Sequence, residues 1–202
     1  MHLAPTTANG ERTRCAWAVP GKPLVIHYHD HEWGVSAHDD RKHFECLVLE
    51  GAQTGLNWLA ILNKREGYRR TFGEFDPEKV ARYSDTHVAK LLQNRDIVRN
   101  RMKIESAINN ARAFLKIQQE FGTFLAYAWQ FIDGQPKQNR WKNHRDIPST
   151  TPASDAFSKD LKGRGFSFVG SPVIYAHMQA TGMVNDHTVD CFRYREIRRS
   201  TA

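Results

Sequence analysis

The chain is poor in the features that would mark it as secreted or membrane-bound. It has three cysteines in 202 residues, Cys15, Cys46 and Cys191. Three thiols build no disulfide framework of the kind that staples small secreted domains. No apolar run approaches the roughly 20 residues that cross a bilayer. The opening residues, MHLAPTTANGERTR, lack the apolar centre of a signal peptide. Alternating strand patterns, internal repeats and low-complexity tracts are also missing. These absences lead to the expectation of a cytoplasmic, all-α protein with no membrane partner, in which Cys beside His signals metal more than disulfide.

Hydrophobic residues make up 40% of the chain, with five Trp, six Tyr and eleven Phe, enough for a core. The net charge of +7 favours a polyanionic partner, with nucleic acid the first candidate. Residues 1–13 read as a disordered extension, 14–194 as one domain, and 195–202 as a basic tail. Pro20, Gly21 and Pro23 indicate a loop.

Helical signals dominate beyond that loop. Asp39 or Asp40 caps a helix through Phe44, Leu47 and Val48. Another is expected from Thr54, carrying Leu56, Trp58, Leu59 and Leu62. Asp76-Pro77-Glu78 and Ser84-Asp85 read as helix starts. A long helix from Arg101 has Ile104, Ile108, Ala111 and Leu115 on one stripe. Phe124 to Ile132 forms an aromatic-rich helix ending near Gly134, and residues 135–152 a polar loop. Ser154 is expected to cap a helix to Lys162, and Ser171-Pro172 to start another ending at Gly182. The glycines between these last two make a helix-hairpin-helix. Its turn and second helix N-terminus, with Arg164, Gly165, Gly170 and Ser171, suit a DNA phosphate held without sequence reading.

Two stretches carry unusual chemistry. LVIHYHDHEWG, residues 24–34, crowds three histidines around Tyr28, and NDHTVDC, residues 185–191, sets His187 four residues before Cys191. On a helix that spacing shares one face. With Cys15 they make a candidate structural zinc site of Cys15, His29, His187 and Cys191, a saturated tetrahedron clasping the chain's ends. His27 and His31 compete as ligands; Cys46 reads as core. Glu50 sits in a largely apolar helix, where an unpaired carboxylate is costly. A salt bridge or a surface-facing turn is its ordinary explanation.

RCAW (14–17), YHDHEWG (28–34), LEGAQTGLNW (49–58), SDAFSKDLKGRGFSFVG (154–170) and NDHTVDC (185–191) follow one another in an order that resembles the 3-methyladenine DNA glycosylase I family, of the helix-hairpin-helix superfamily. The resemblance spans roughly residues 13–194. It implies a compact two-lobed α-helical fold with DNA in the cleft, the same four zinc ligands, and a monomer acting on double-stranded DNA with alkylated bases. It implies a pocket of Trp17, Tyr28 and Trp58, in which Glu50 accepts hydrogen bonds from an extruded cationic adenine. Many relatives use an Asp after the hairpin to stabilise charge on the sugar. Asp186 is the matching catalytic candidate, with orientation of His187 as its alternative role. Where the family often has tyrosine this chain has Val25, which implies one aromatic contact fewer. No lysine lies between Phe166 and Gly182, so a Schiff base and strand cleavage are not expected. The competing class is a zinc-stabilised nucleic-acid-binding protein without catalysis.

Overall fold

A computed structural model describes residues 12–200. Among them are eleven α-helices: α1 (Pro23–His31), α2 (Asp40–Gln53), α3 (Trp58–Leu62), α4 (Arg65–Thr71), α5 (Pro77–Ala81), α6 (Asp85–Gln93), α7 (Arg101–Phe121), α8 (Phe124–Trp129), α9 (Pro152–Gly163), α10 (Ser171–Ala180) and α11 (Phe192–Ser200). The expected helical class holds. Two short strands, β1 (Lys137–Gln138) and β2 (Val184–Asn185), pair in parallel. The first lies inside the stretch expected to be only loop. The proposed disordered extension falls mostly outside the described residues. Its last two residues do not: the Arg12 guanidinium lies 4.9 Å from the Phe192 ring centre, and Thr13 O accepts from Phe192 N.

Short polar residues set the helix starts. Asn100 and Thr123 each accept a backbone N–H from the first turn they precede, and Asp76 accepts two. Both aspartates at 39 and 40 are caps. Asp39 accepts from Arg41 N, while Asp40 reaches across to accept from Phe124 N and Leu125 N, the start of α8. The α9 cap is Thr151, three residues before the expected Ser154. Ser154 instead closes a capping box, its Oγ accepting from Thr151 N while Thr151 Oγ1 accepts from Ser154 N.

Three sequence expectations shift. No helix starts at Thr54: α2 ends at Gln53, the chain turns through Gly55 at φ +78°, and Asn57 caps α3. Leu56, counted in the apolar stripe, is 42% exposed. The histidine stretch is a helix, α1, with Pro23 in its first turn, where a missing N–H costs nothing. Residues 195–200 continue α11 rather than trailing off.

The core falls into two clusters. The larger gathers α2, α7, α8, α9 and α10 around Phe44, Phe114, Phe124 and Phe157; the rings of Phe114 and Phe124 stack at 4.3 Å. Each such ring, fully buried, contributes about 1.5–3 kcal/mol. The smaller joins Cys15, Tyr28, Trp33, Cys46, Cys191 and Phe192. One seam locks them together. Gly34 N donates to Gln179 O and Ala37 N to Thr181 O, both at 3.0 Å. Gly182, at φ +69°, permits this seam, because a Cβ there would overlap the backbone of Val35 and Ser36.

Candidate active site and metal centre

A cavity of about 430 Å³ opens where α1, α2, α3 and α10 meet. Trp17, Tyr28 and Trp58, all expected in a pocket, line it together. The Tyr28 ring centre lies 5.2 Å from that of Trp58 and 6.4 Å from that of Trp17. Trp33 adds a fourth ring, edge-on to Trp17 at 5.0 Å. Gln53, His144, Ile147, Ala176 and Gln179 extend the wall beyond what the sequence pointed to. Val25 is buried in the smaller core cluster and does not line the cavity.

Glu50 also lines the cavity. It is 7% exposed and has no hydrogen bond or ion pair among the described residues. Arg65, a partly buried cation of helix α4, is engaged with other acids, binding Glu32 at 2.7 Å and Glu45 at 2.8 Å. Burial therefore pushes the Glu50 carboxyl up to about 8. Burial, then the nearness of Glu50, raises the Tyr28 hydroxyl well above its usual range. The salt bridge expected of an ordinary buried glutamate is not there. An unpaired buried acid costs stability unless something outside the chain uses it.

Asp186 does not face this cavity. It is 1% exposed and accepts four hydrogen bonds at 2.6–2.8 Å, from Asn139, Trp141, Tyr175 and Gln179. It stands behind Gln179 and holds that part of the wall. Nor does it orient His187, whose Nε2 faces the Trp33 carbonyl at 3.0 Å.

The four expected ligands converge. Cys15, His29, His187 and Cys191 are buried, with ligand atoms within 4.8 Å of one another, a group fit to hold a metal ion. His187 Nδ1 lies 3.5 Å from Cys15 Sγ and 3.6 Å from Cys191 Sγ; His29 Nε2 lies 3.5 Å from Cys191 Sγ. Tetrahedral geometry about an ion ~2.3 Å from sulfur and ~2.0–2.1 Å from nitrogen requires sulfur–nitrogen edges of about 3.5 Å. Burial holds His187 below its ordinary pKa, so its imidazole is neutral, as a ligand must be. His29 Nδ1 is fixed by Asp30 at 2.8 Å, which Arg14 holds in turn at 2.7 Å. His27 and His31 are exposed on the other face of α1 and take no part. His187 and Cys191 meet through a turn preceding α11, not along a helix as their spacing indicated.

α9 and α10 form the expected helix-hairpin-helix. Gly165, at φ +89°, opens the turn, and Ser158 Oγ and Asn110 pin it. Gly170 precedes α10 with no side chain to cap it, and Pro172 has no N–H. The first-turn amides of α10 are thus left without a side-chain acceptor, an arrangement suited to an anion. Ser171 Oγ is engaged by Asp155 and Ser154. Arg164 is committed to neighbouring acids. Its guanidinium donates to Glu120 and Asp160 at 2.6 Å each and covers the Phe121 and Tyr127 rings.

A family model described as methyladenine glycosylase matches residues 17–194. The chain belongs to the methyladenine glycosylase family. The DNA-3-methyladenine glycosylase 1 of Escherichia coli (strain K12) is 48% identical over 181 residues, covering 90% of this chain and 96% of that protein. A crystal structure of 3-methyladenine DNA glycosylase I superposes with a TM-score of 0.86 at 49% identity, over 89% of this chain and 98% of the other. A Staphylococcus aureus 3-methyladenine DNA glycosylase I, solved for the structural basis of 3-methyladenine recognition, superposes at 0.85 with 35% identity, over 88% and 94%. Within this glycosylase chain, no described helix is long and apolar enough to cross a membrane.

Proposed function

We propose that this chain is a monofunctional DNA glycosylase that hydrolyses the N-glycosidic bond of 3-methyladenine in alkylated duplex DNA, in base-excision repair. The observation that carries the reading is Glu50, an unpaired buried acid in a ring of four aromatics. Methylation at N3 leaves adenine in the nucleotide with a positive charge. In the empty pocket, with its pKa near 8, Glu50 is mostly protonated at pH 7. An entering cation favours the carboxylate, which then accepts hydrogen bonds from the base. The rings of Trp17, Tyr28 and Trp58 add cation–π attraction of about 0.5–2 kcal/mol each. Neutral adenine gains none of this, which offsets the few kcal/mol of extrusion only for the damaged base.

Cleavage follows from the same charge. The electron pair of the sugar–base bond stays on the base and neutralises it. Positive charge develops at C1′, water adds there, and a proton is released. The product is a free neutral base, which Glu50 no longer holds by charge, and an intact abasic strand. Asp186, already carrying four hydrogen bonds, braces Gln179 and the pocket wall rather than the sugar.

The two core clusters correspond to two lobes. One structural zinc on Cys15, His29, His187 and Cys191 clasps the smaller one, and its closed coordination leaves it no part in the chemistry. The amides at Gly165, Gly170 and Ser171 receive a phosphate. The protein works as a monomer in the cytoplasm. A catalytically silent DNA binder would have no use for an unpaired acid between aromatic rings. The test is release of free 3-methyladenine from methylated duplex DNA, with the strand uncut and no borohydride-trapped complex; no released base, or a trapped complex, overturns the reading.

A further inference from the structure

A larger open groove, about 610 Å³, lies beside the turn that flanks the pocket. Gln53 and Trp58 face the pocket, while Leu56, between them in sequence, faces the groove. The groove has an apolar floor, including Leu92 and Ile97, and a cationic rim of Lys64, Arg95 and Arg99. No carboxylate lines it. Lys64 Nζ is fixed by donating to Arg95 O at 2.7 Å. Arg95 and Arg99 are exposed, and neither forms an ion pair among the described residues. This sets them apart from Arg70, Arg82, Arg101 and Arg164, each paired with an acid.

The turn beside the groove is tied to α7. Lys103, near the start of α7, donates to Ala52 O and Thr54 O and so ties down the turn. Two turns along the same helix, Asn109 donates to Gly165 O, and Asn110 both donates to Ser167 O and accepts from Ser167 N. The hairpin and the turn are thus both held on the first half of α7. The hairpin approaches the pocket where Phe168 packs on Gly51, next to Glu50, and the groove adjoins the pocket at the turn from Gln53 to Trp58.

We propose that this groove is a second anchor for the DNA backbone, on the opposite side of the pocket from the hairpin. Deoxyribose rings lie on the apolar floor, and phosphates take the donors of Arg95 and Arg99. The inference rests on the glycosylase reading above. A duplex from which one base is drawn out must be held on both sides of the gap, and the hairpin supplies only one grip. Charge complementarity selects the occupant: Arg95 and Arg99 stand without an ion pair among the described residues, over an apolar floor that no carboxylate lines.

The experiment is the salt dependence of binding of the full-length protein to a duplex containing an abasic site. Each phosphate contact contributes a slope of about 0.9 in log K against log salt. The double variant Arg95→Ala/Arg99→Ala should reduce the slope by about 1–2, with the loss of excision appearing in KM rather than kcat. Lys116→Ala, removing an exposed cation roughly 20 Å along α7 from Arg101, should leave the slope as it is. A double variant that folds, as shown by circular dichroism, and keeps the parent slope overturns the anchor. Wild-type protein that releases no base instead overturns the glycosylase reading, and the slope still reports on the groove.

Discussion

Glu50→Gln should make the protein more stable and a worse enzyme, and pH separates the two effects. The Glu50 carboxyl moves from 4.5 to about 8 on folding because burial disfavours its charge. Between those values the folded state binds the proton more tightly than the unfolded chain does. Stability from this residue is therefore undiminished below about pH 4.5 and falls as pH rises, levelling off above 8. At pH 7 the 2.5 units above 4.5, at about 1.4 kcal/mol per unit, amount to about 3.5 kcal/mol. Glu50→Gln has no charge to suppress, so its disadvantage is limited to an amide without a partner, about 1–3 kcal/mol at every pH. Urea denaturation of both proteins from pH 5 to 8.5 should show the wild type losing about 2.5 kcal/mol relative to the variant between pH 5 and pH 7. Excision should show the complement: wild-type kcat/KM rises with pH towards 8, while the variant stays low and flat. Parallel stability curves would mean that Glu50 is already ionised and paired, which would refute the argument for the cation pocket.

Metal analysis of purified protein should find one zinc per chain, and Cys191→Ser should lower both that content and the thermal midpoint; no zinc in protein purified without chelator contradicts the clasp. Arg164→Ala should leave the salt slope of DNA binding unchanged and cost roughly 0–1 kcal/mol per lost ion pair, because its donors face Glu120 and Asp160; a slope reduced by about 0.9 would return it to the phosphates. Asp186→Asn should destabilise by roughly 1–3 kcal/mol, since an amide cannot accept all four hydrogen bonds. A variant as stable as the parent, but inactive, would restore Asp186 to the chemistry.

The four candidate metal ligands were legible in the sequence because their residue types are unusual in company, and Trp17, Tyr28 and Trp58 were legible only through the family resemblance of the motifs that hold them. Histidine and cysteine cluster for few other reasons, and RCAW, YHDHEWG and NDHTVDC keep them in short motifs. What brings those motifs together was not legible. The seam from Gly34 to Gln179 depends on Gly182 lacking a Cβ, which no spacing reveals. Trp33 and Gln179 join the pocket only once that seam is closed. The helix α1 was hidden by its own histidines, which disguise helical periodicity. The turn at Gly55 was hidden by Leu56, whose position continues an apolar stripe although its side chain faces out. Arg164 looked like a phosphate ligand because its partner Glu120 lies 44 residues away.

The central claim is that Glu50 recognises the charge of the damaged base. It is tested most directly by single-turnover excision of 3-methyladenine from duplex DNA by the wild type and Glu50→Ala, with affinity for undamaged duplex measured alongside. A hydrogen bond to a charged group contributes about 1.5–3 kcal/mol, and each ~1.4 kcal/mol is tenfold in rate. The variant should excise roughly ten- to a hundredfold more slowly, or worse, while binding undamaged DNA as before. A folded Glu50→Ala protein that excises at the parent rate would contradict the account.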